Sequence, residues 1–188
     1  EEFTNNGLRA GYKVIKNQVD CSFKAFAAHR LQADIFETSA TDYDSRHRGI
    51  LIHKALQLFW EKHRTLNALQ SLHSSDTLRI EVKNATSKAM KATINRIEGQ
   101  YHFKAMEQER TIHLLAEWME HELRRKNFEV KHIEKNEVIV IKNLKLNLRI
   151  DRVDITPEGK NILIDYKTGS INSNAWFKDQ ILDPQLPL

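Results

Sequence analysis

The hydrophobic positions of this chain follow one period and then another. Through residues 1–126 they recur at helical spacing, and through 127–169 they alternate. "CSFKAFAAHRL" predicts a short helix with Phe23, Phe26 and Ala27 on one face. "SRHRGILIHKALQLFWEKH" predicts a second, opened by Asp44 or Ser45 as cap. A third runs over 76–97 on Leu78, Val82, Ala85, Ala89, Thr93 and Ile97, and Gly99 breaks it. A long helix over 101–126 carries Ile112, Leu115, Met119 and Leu123 along one stripe, with Leu114 and Trp118 beside it. It closes on Arg124, Arg125 and Lys126, which read as a solvated helix end.

The alternating half predicts strands. "FEVKHIE" and "VIVIK" read as a hairpin about Lys135-Asn136. "LKLNLRIDRVDI" sets Leu144, Leu146, Leu148 and Ile150 on one face, and "NILIDYK" is a further strand. Near the end, Asp183 and Pro184 read as a helix start that Leu188 cuts short. The expectation is one α/β (α+β) domain over 1–188. A mainly helical portion, 1–126, precedes a portion, 127–188, that holds a small mixed sheet.

Composition narrows the class. With 40% hydrophobic residues, 6 glycines and 3 prolines among 188, a buried core is feasible and disorder is not expected. The net charge of +4 leans slightly toward an anionic partner such as nucleic acid. A single cysteine, Cys21, excludes an intrachain disulfide, fits a reducing, cytoplasmic setting, and reads as a buried apolar side chain. No apolar run reaches the length of a membrane span, so no membrane association is expected.

The chemistry concentrates in "RIDRVDITPEGKNILIDYKTG". A turn centred on Glu158 sets Asp151 opposite Asp165, Val153 opposite Leu163 and Arg149 opposite Lys167. On the other face it pairs Ile150 with Tyr166 and Asp154 with Ile162. Opposed Cβ atoms are about 5 Å apart, where two carboxylates repel by roughly 3 kcal/mol at an effective dielectric near 20. A raised carboxyl pKa, a divalent cation held between the two, or a ladder of salt bridges to Arg149 and Lys167 would each relieve this. In "FEVKHIE", Glu134 shares strand parity with Phe128 and Val130, which would deliver a carboxylate inward, although by default a lone carboxylate there reads as a strand-end residue reaching solvent. His53 lies between Ile50 and Trp60 on a helical face, where a core role and a ligand role are both open.

These residues resemble the RecB-type branch of the PD-(D/E)XK nucleases, in which an aspartate on one strand is followed by Asp-x-Lys on the next. "DRVD…ILIDYKTG" carries the resemblance. "RGILIHKAL" is similar to the family's Gly…His helix, "CSFKAFAAHRL" to its opening Cys-Pro-Phe segment, and "PQLPL" to the start of its Gln-x-x-x-Tyr motif. The matches keep the family's order from about residue 17 to the end. The chain departs from the pattern at Leu148, where glycine is frequent, at Ile150 before the aspartate, and at Ser22 in place of proline.

The resemblance implies a Mg²⁺- or Mn²⁺-dependent deoxyribonuclease, an exonuclease, from a DNA repair or recombination protein. It assigns Asp151 and Asp165 to the metal, with the Tyr166 carbonyl and His53 as further ligands and Glu134 lining the site. Lys167 would serve the attacking water, and Gln185 would fix the active-site helix. The expected partners are DNA and a helicase or ATPase domain or subunit, with the fragment itself monomeric. An iron–sulfur cluster is implied only for a longer parent protein, since Cys21 alone cannot hold one. The alternative is an inactive nuclease fold used for DNA binding or scaffolding; retention of both aspartates and the lysine argues against it.

Overall fold

A computed structural model describes residues 11–33, 45–93, 101–141 and 144–169. Among these residues six helices precede three strands: α1 (Gly11–Asp20), α2 (Ser22–His29), α3 (Ser45–Lys62), α4 (Leu66–Ser74), α5 (Leu78–Thr93), α6 (Tyr101–Leu123), β1 (Glu129–Ile141), β2 (Leu144–Ile155) and β3 (Asn161–Ile164). This is the expected mixture of helices with a small sheet. The described strands are antiparallel, in the order β1-β2-β3. The chain divides into two compact units, one of 1–40, 136–149 and 170–188, the other of 41–135 and 150–169.

In the first unit α1 and α2 pack on each other, and Asn17 Nδ2 lies 2.9 Å from His29 Nε2. The expected apolar face of α2 is not a buried one. Phe23 and Phe26 are exposed, and Ala25 is the residue that packs inward. Cys21 is exposed as well, correcting the reading of a buried thiol. It stands at the N-cap with extended backbone, ahead of the helix and outside its packed stripe.

The second unit holds a core of helices and strand. Leu51, Ala55, Phe59 and Trp60 of α3, Leu69 of α4, Val82 and Ala89 of α5, Ile112, Leu115 and Met119 of α6, and Phe128 and Val130 are all buried together. The predicted stripes of α5 and α6 thus face inward, whereas Leu114 and Trp118 stay exposed. Helix α4 was not expected. It starts one short link after α3, where the Thr65 side chain accepts the Ala68 N–H at 3.1 Å and caps the new helix. Gly99 and Asp44 lie outside the described residues.

The predicted hairpin about Lys135-Asn136 is absent. β1 runs unbroken through both residues for 13 positions, nearly matching the 12 of β2. Two long alternating strands pair more of their backbone groups than two short ones would. The irregularity that the polar Lys135-Asn136 pair suggested is instead a kink one residue earlier, where Glu134 has φ of 49°. The second hairpin agrees with expectation. β2 and β3 pair through Val153↔Leu163 and Asp154↔Ile162, the register that a turn centred on Glu158 requires. Gly159 takes φ of 77° in that turn, a left-handed conformation suited to glycine, and donates its N–H to the Thr156 carbonyl.

Candidate metal centre

Three donors from three elements meet beside the β2–β3 hairpin. His53 from α3, Glu134 from β1 and Asp151 from β2 each offer a ligand atom within 4.8 Å of the others. Helix α3 brings His53 close because Gly49, one turn earlier, leaves room for the segment that follows β3. A Cβ on Gly49 would lie 3.1 Å from Thr168 Oγ1. The Glu134 kink supplies the second donor. A left-handed φ costs a non-glycine residue about 1–2 kcal/mol, and such strain concentrates at functional positions.

Asp151 is the hub. Its Oδ2 accepts the Tyr166 backbone N–H at 2.7 Å, and its Oδ1 lies 3.3 Å from His53 Nδ1. Burial pushes the Asp151 carboxyl up, but the His53 contact and the Tyr166 N–H outweigh it and leave the group below its ordinary range. The expectation of a raised carboxyl is therefore wrong for Asp151: the groups facing it are donors. His53 is correspondingly raised, chiefly by its hydrogen bond to Asp151 and against its own burial, with the Tyr166 main chain as a further acceptor.

The remaining predicted residues divide. Asp165 is not among the three converging donors; its carboxylate forms an ion pair with Lys167 Nζ on the same segment, and both side chains are partly exposed. This salt bridge joins two residues of the one segment that follows β3. Lys167 still acts on Asp151 through its charge. The Tyr166 main chain lies against both Asp151 and His53. Gln185 lies outside the described residues.

A cluster that the sequence did not reveal lies behind the centre. Arg152 is fully buried. Its Nε and Nη2 donate to Asp154 at 2.6 and 2.8 Å, and its Nη1 donates to Glu122 and to the Tyr166 hydroxyl, each at 3.2 Å. Arg125 completes the group, bonding Glu122 at 2.5 Å and Asp154 at 2.8 Å. Its place there corrects the reading of the α6 terminus as merely solvated. Two guanidiniums balance two carboxylates, as buried charges require. The Arg152 guanidinium also stacks 3.8 Å over the Trp60 ring. Burial pushes the Tyr166 phenol up to about 12, so its hydroxyl is neutral at physiological pH. The available sequence signal was Arg152 and Asp154 two apart on one face of a strand, a charged pair where a core face should be apolar.

The donor set suits a divalent ion. Two carboxylates and an imidazole match hard or borderline cations such as Mg²⁺ and Mn²⁺. A family model described as the PD-(D/E)XK nuclease superfamily matches residues 12–188, and the chain belongs to that superfamily, whose members are nucleases that use divalent metals. Comparison with curated proteins gave no match. Among the described residues no helix is long and apolar enough to cross a membrane.

Proposed function

We propose that this chain is a RecB-type, metal-dependent DNA nuclease domain of a DNA repair or recombination protein, hydrolysing phosphodiester bonds as an exonuclease. The convergence of His53, Glu134 and Asp151 next to Lys167 carries the reading. Residues 1–188 act as one nuclease domain, coupled in its parent protein to a helicase or ATPase, in the cytoplasm.

His53, Glu134, Asp151 and the Tyr166 carbonyl hold Mg²⁺ or Mn²⁺. The bound ion supplies positive charge against the phosphate and an acidified water near neutral pH. Asp151 is ready for this role because its carboxylate is kept ionised and oriented. Lys167, partly exposed, offers an ammonium to the attacking water and to charge growing on the phosphate. Asp165 pairs with that ammonium and would be a further ligand for the ion. Gln185 steadies the helix that faces DNA. Arg152 is too deeply buried to grip the phosphate backbone.

The test is cleavage of linear DNA by the full-length protein with Mg²⁺ or Mn²⁺. Cleavage should stop on chelation and with Lys167→Ala, while the Lys167→Ala protein still binds metal. Undiminished cleavage in EDTA, or by Lys167→Ala, would overturn the proposal.

A further inference from the structure

The buried cluster and the donor set share one residue, Tyr166, and they grip it from opposite ends. Its hydroxyl accepts from Arg152 Nη1 at 3.2 Å. Its backbone N–H donates to Asp151 Oδ2 at 2.7 Å. The ring between these ends is held by edge contacts to His53, with centroids 6.0 Å apart, and to Trp118 at 6.1 Å. β3 ends at Ile164, so Tyr166 follows the last residue paired in the β2–β3 ladder. Its main chain therefore takes its position from the hydroxyl anchor, the ring contacts and Asp151.

We infer that Arg152 is a positioning residue for the metal centre, acting through the Tyr166 hydroxyl to hold the Tyr166 peptide against Asp151 and His53. The inference rests on the metal reading above for its functional consequence, but the relay itself does not need a metal. Partners that orient a ligating carboxylate are worth about 10–100-fold in metal affinity where they have been removed in other proteins. Arg152 is well suited to the task because Glu122 and Asp154 fix its guanidinium on both sides. Asp151 and Arg152 are neighbours on β2, so the aspartate and the arginine that steadies its partner move as one piece.

Arg152→Ala would leave Glu122 and Asp154 with Arg125 alone, one buried charge uncompensated, and disrupt the site, so Tyr166→Phe is the informative variant. It keeps the ring and the peptide and removes only the hydroxyl. Amide hydrogen exchange of the metal-free chain is the first readout. Protection of the residue 166 amide should fall several-fold, while amides of Asp154 and Ile162, which lie in a hydrogen-bonded position of the β2–β3 register, keep theirs. Unchanged protection at 166, or a uniform loss across the hairpin, would overturn the relay. The second readout is Mn²⁺ affinity by calorimetry, with kinetics on the full-length protein. Tyr166→Phe should weaken Mn²⁺ binding by about tenfold and lower kcat with KM for DNA unchanged. Arg152→Lys combined with Tyr166→Phe should weaken it no further than Arg152→Lys alone, because one path is shared. Additive losses would mean that Arg152 acts by another route. If wild type binds no Mn²⁺ and Tyr166→Phe still loses protection selectively at residue 166, the relay stands and the metal reading falls, so the two failures are distinguishable.

Discussion

His53 Nδ1 lies 3.3 Å from Asp151 Oδ1, joining helix α3 to strand β2 at the point where the sheet chemistry begins. The contact raises the imidazole and lowers the carboxyl, so without metal the two form an ion pair whenever His53 is protonated. A proton on His53 and a metal ion at the same place are alternatives.

That pairing predicts a pH window for the metal-free chain. His53 is raised above 6.5, so its contribution to stability is full below that pH and lost as pH rises through the folded value. Asp151 is lowered below 3.8, so its contribution is present above that pH and lost as pH falls through the folded value. The pair stabilises most between 3.8 and 6.5. Urea midpoints of wild type and His53→Asn should differ most in that interval and converge at alkaline pH. A difference that grows above neutral pH would contradict the pairing.

Removing a donor should cost more than disturbing its support. His53→Ala and Glu134→Gln should each weaken Mn²⁺ binding by at least the ~10-fold expected for a supporting residue. Calorimetric titration checks this. Glu134→Gln with wild-type affinity would remove Glu134 from the donor set.

The tetrad behind the site governs stability. Glu122 and Asp154 are each almost fully buried and bonded to both Arg125 and Arg152. Asp154→Ala should destabilise the chain by about 3–5 kcal/mol, since it leaves buried charge uncompensated. Arg125→Ala should cost less, because the Arg125 side chain is 27% exposed and water can partly replace it. Urea denaturation reads both. Equal losses from the two variants would show that burial does not set the order.

Much of this site could be read before any coordinates. Pro157-Glu158-Gly159 set the β2–β3 register, because a tight turn leaves the flanking strands one pairing. The inward carboxylate of Glu134 was legible from its apolar neighbours, but its aim depends on a left-handed residue that alternation does not announce. Strand β1 was misread at Lys135-Asn136 because a polar pair between apolar runs resembles a turn whether or not the chain reverses there. Arg125 and Arg152 were hidden for a different reason. Arginine is ordinarily exposed unless paired, and the pairing joins α6 to β2 across about thirty positions of sequence. The facing aspartates raised the right question, and the structure answers it with donors: Tyr166 N–H and His53 on Asp151, and Lys167 on Asp165.

The central claim is that His53, Glu134 and Asp151 hold a divalent ion. Calorimetric titration of Mn²⁺ into the wild-type chain and Asp151→Asn tests it most directly. Asp151→Asn keeps the side-chain shape and removes the charge. Wild type should bind Mn²⁺ and, at a hundred times its Kd, gain about 2.7 kcal/mol of stability; Asp151→Asn should lose both the binding heat and the stabilisation. Wild type without binding heat, or Asp151→Asn with undiminished affinity, would contradict the account.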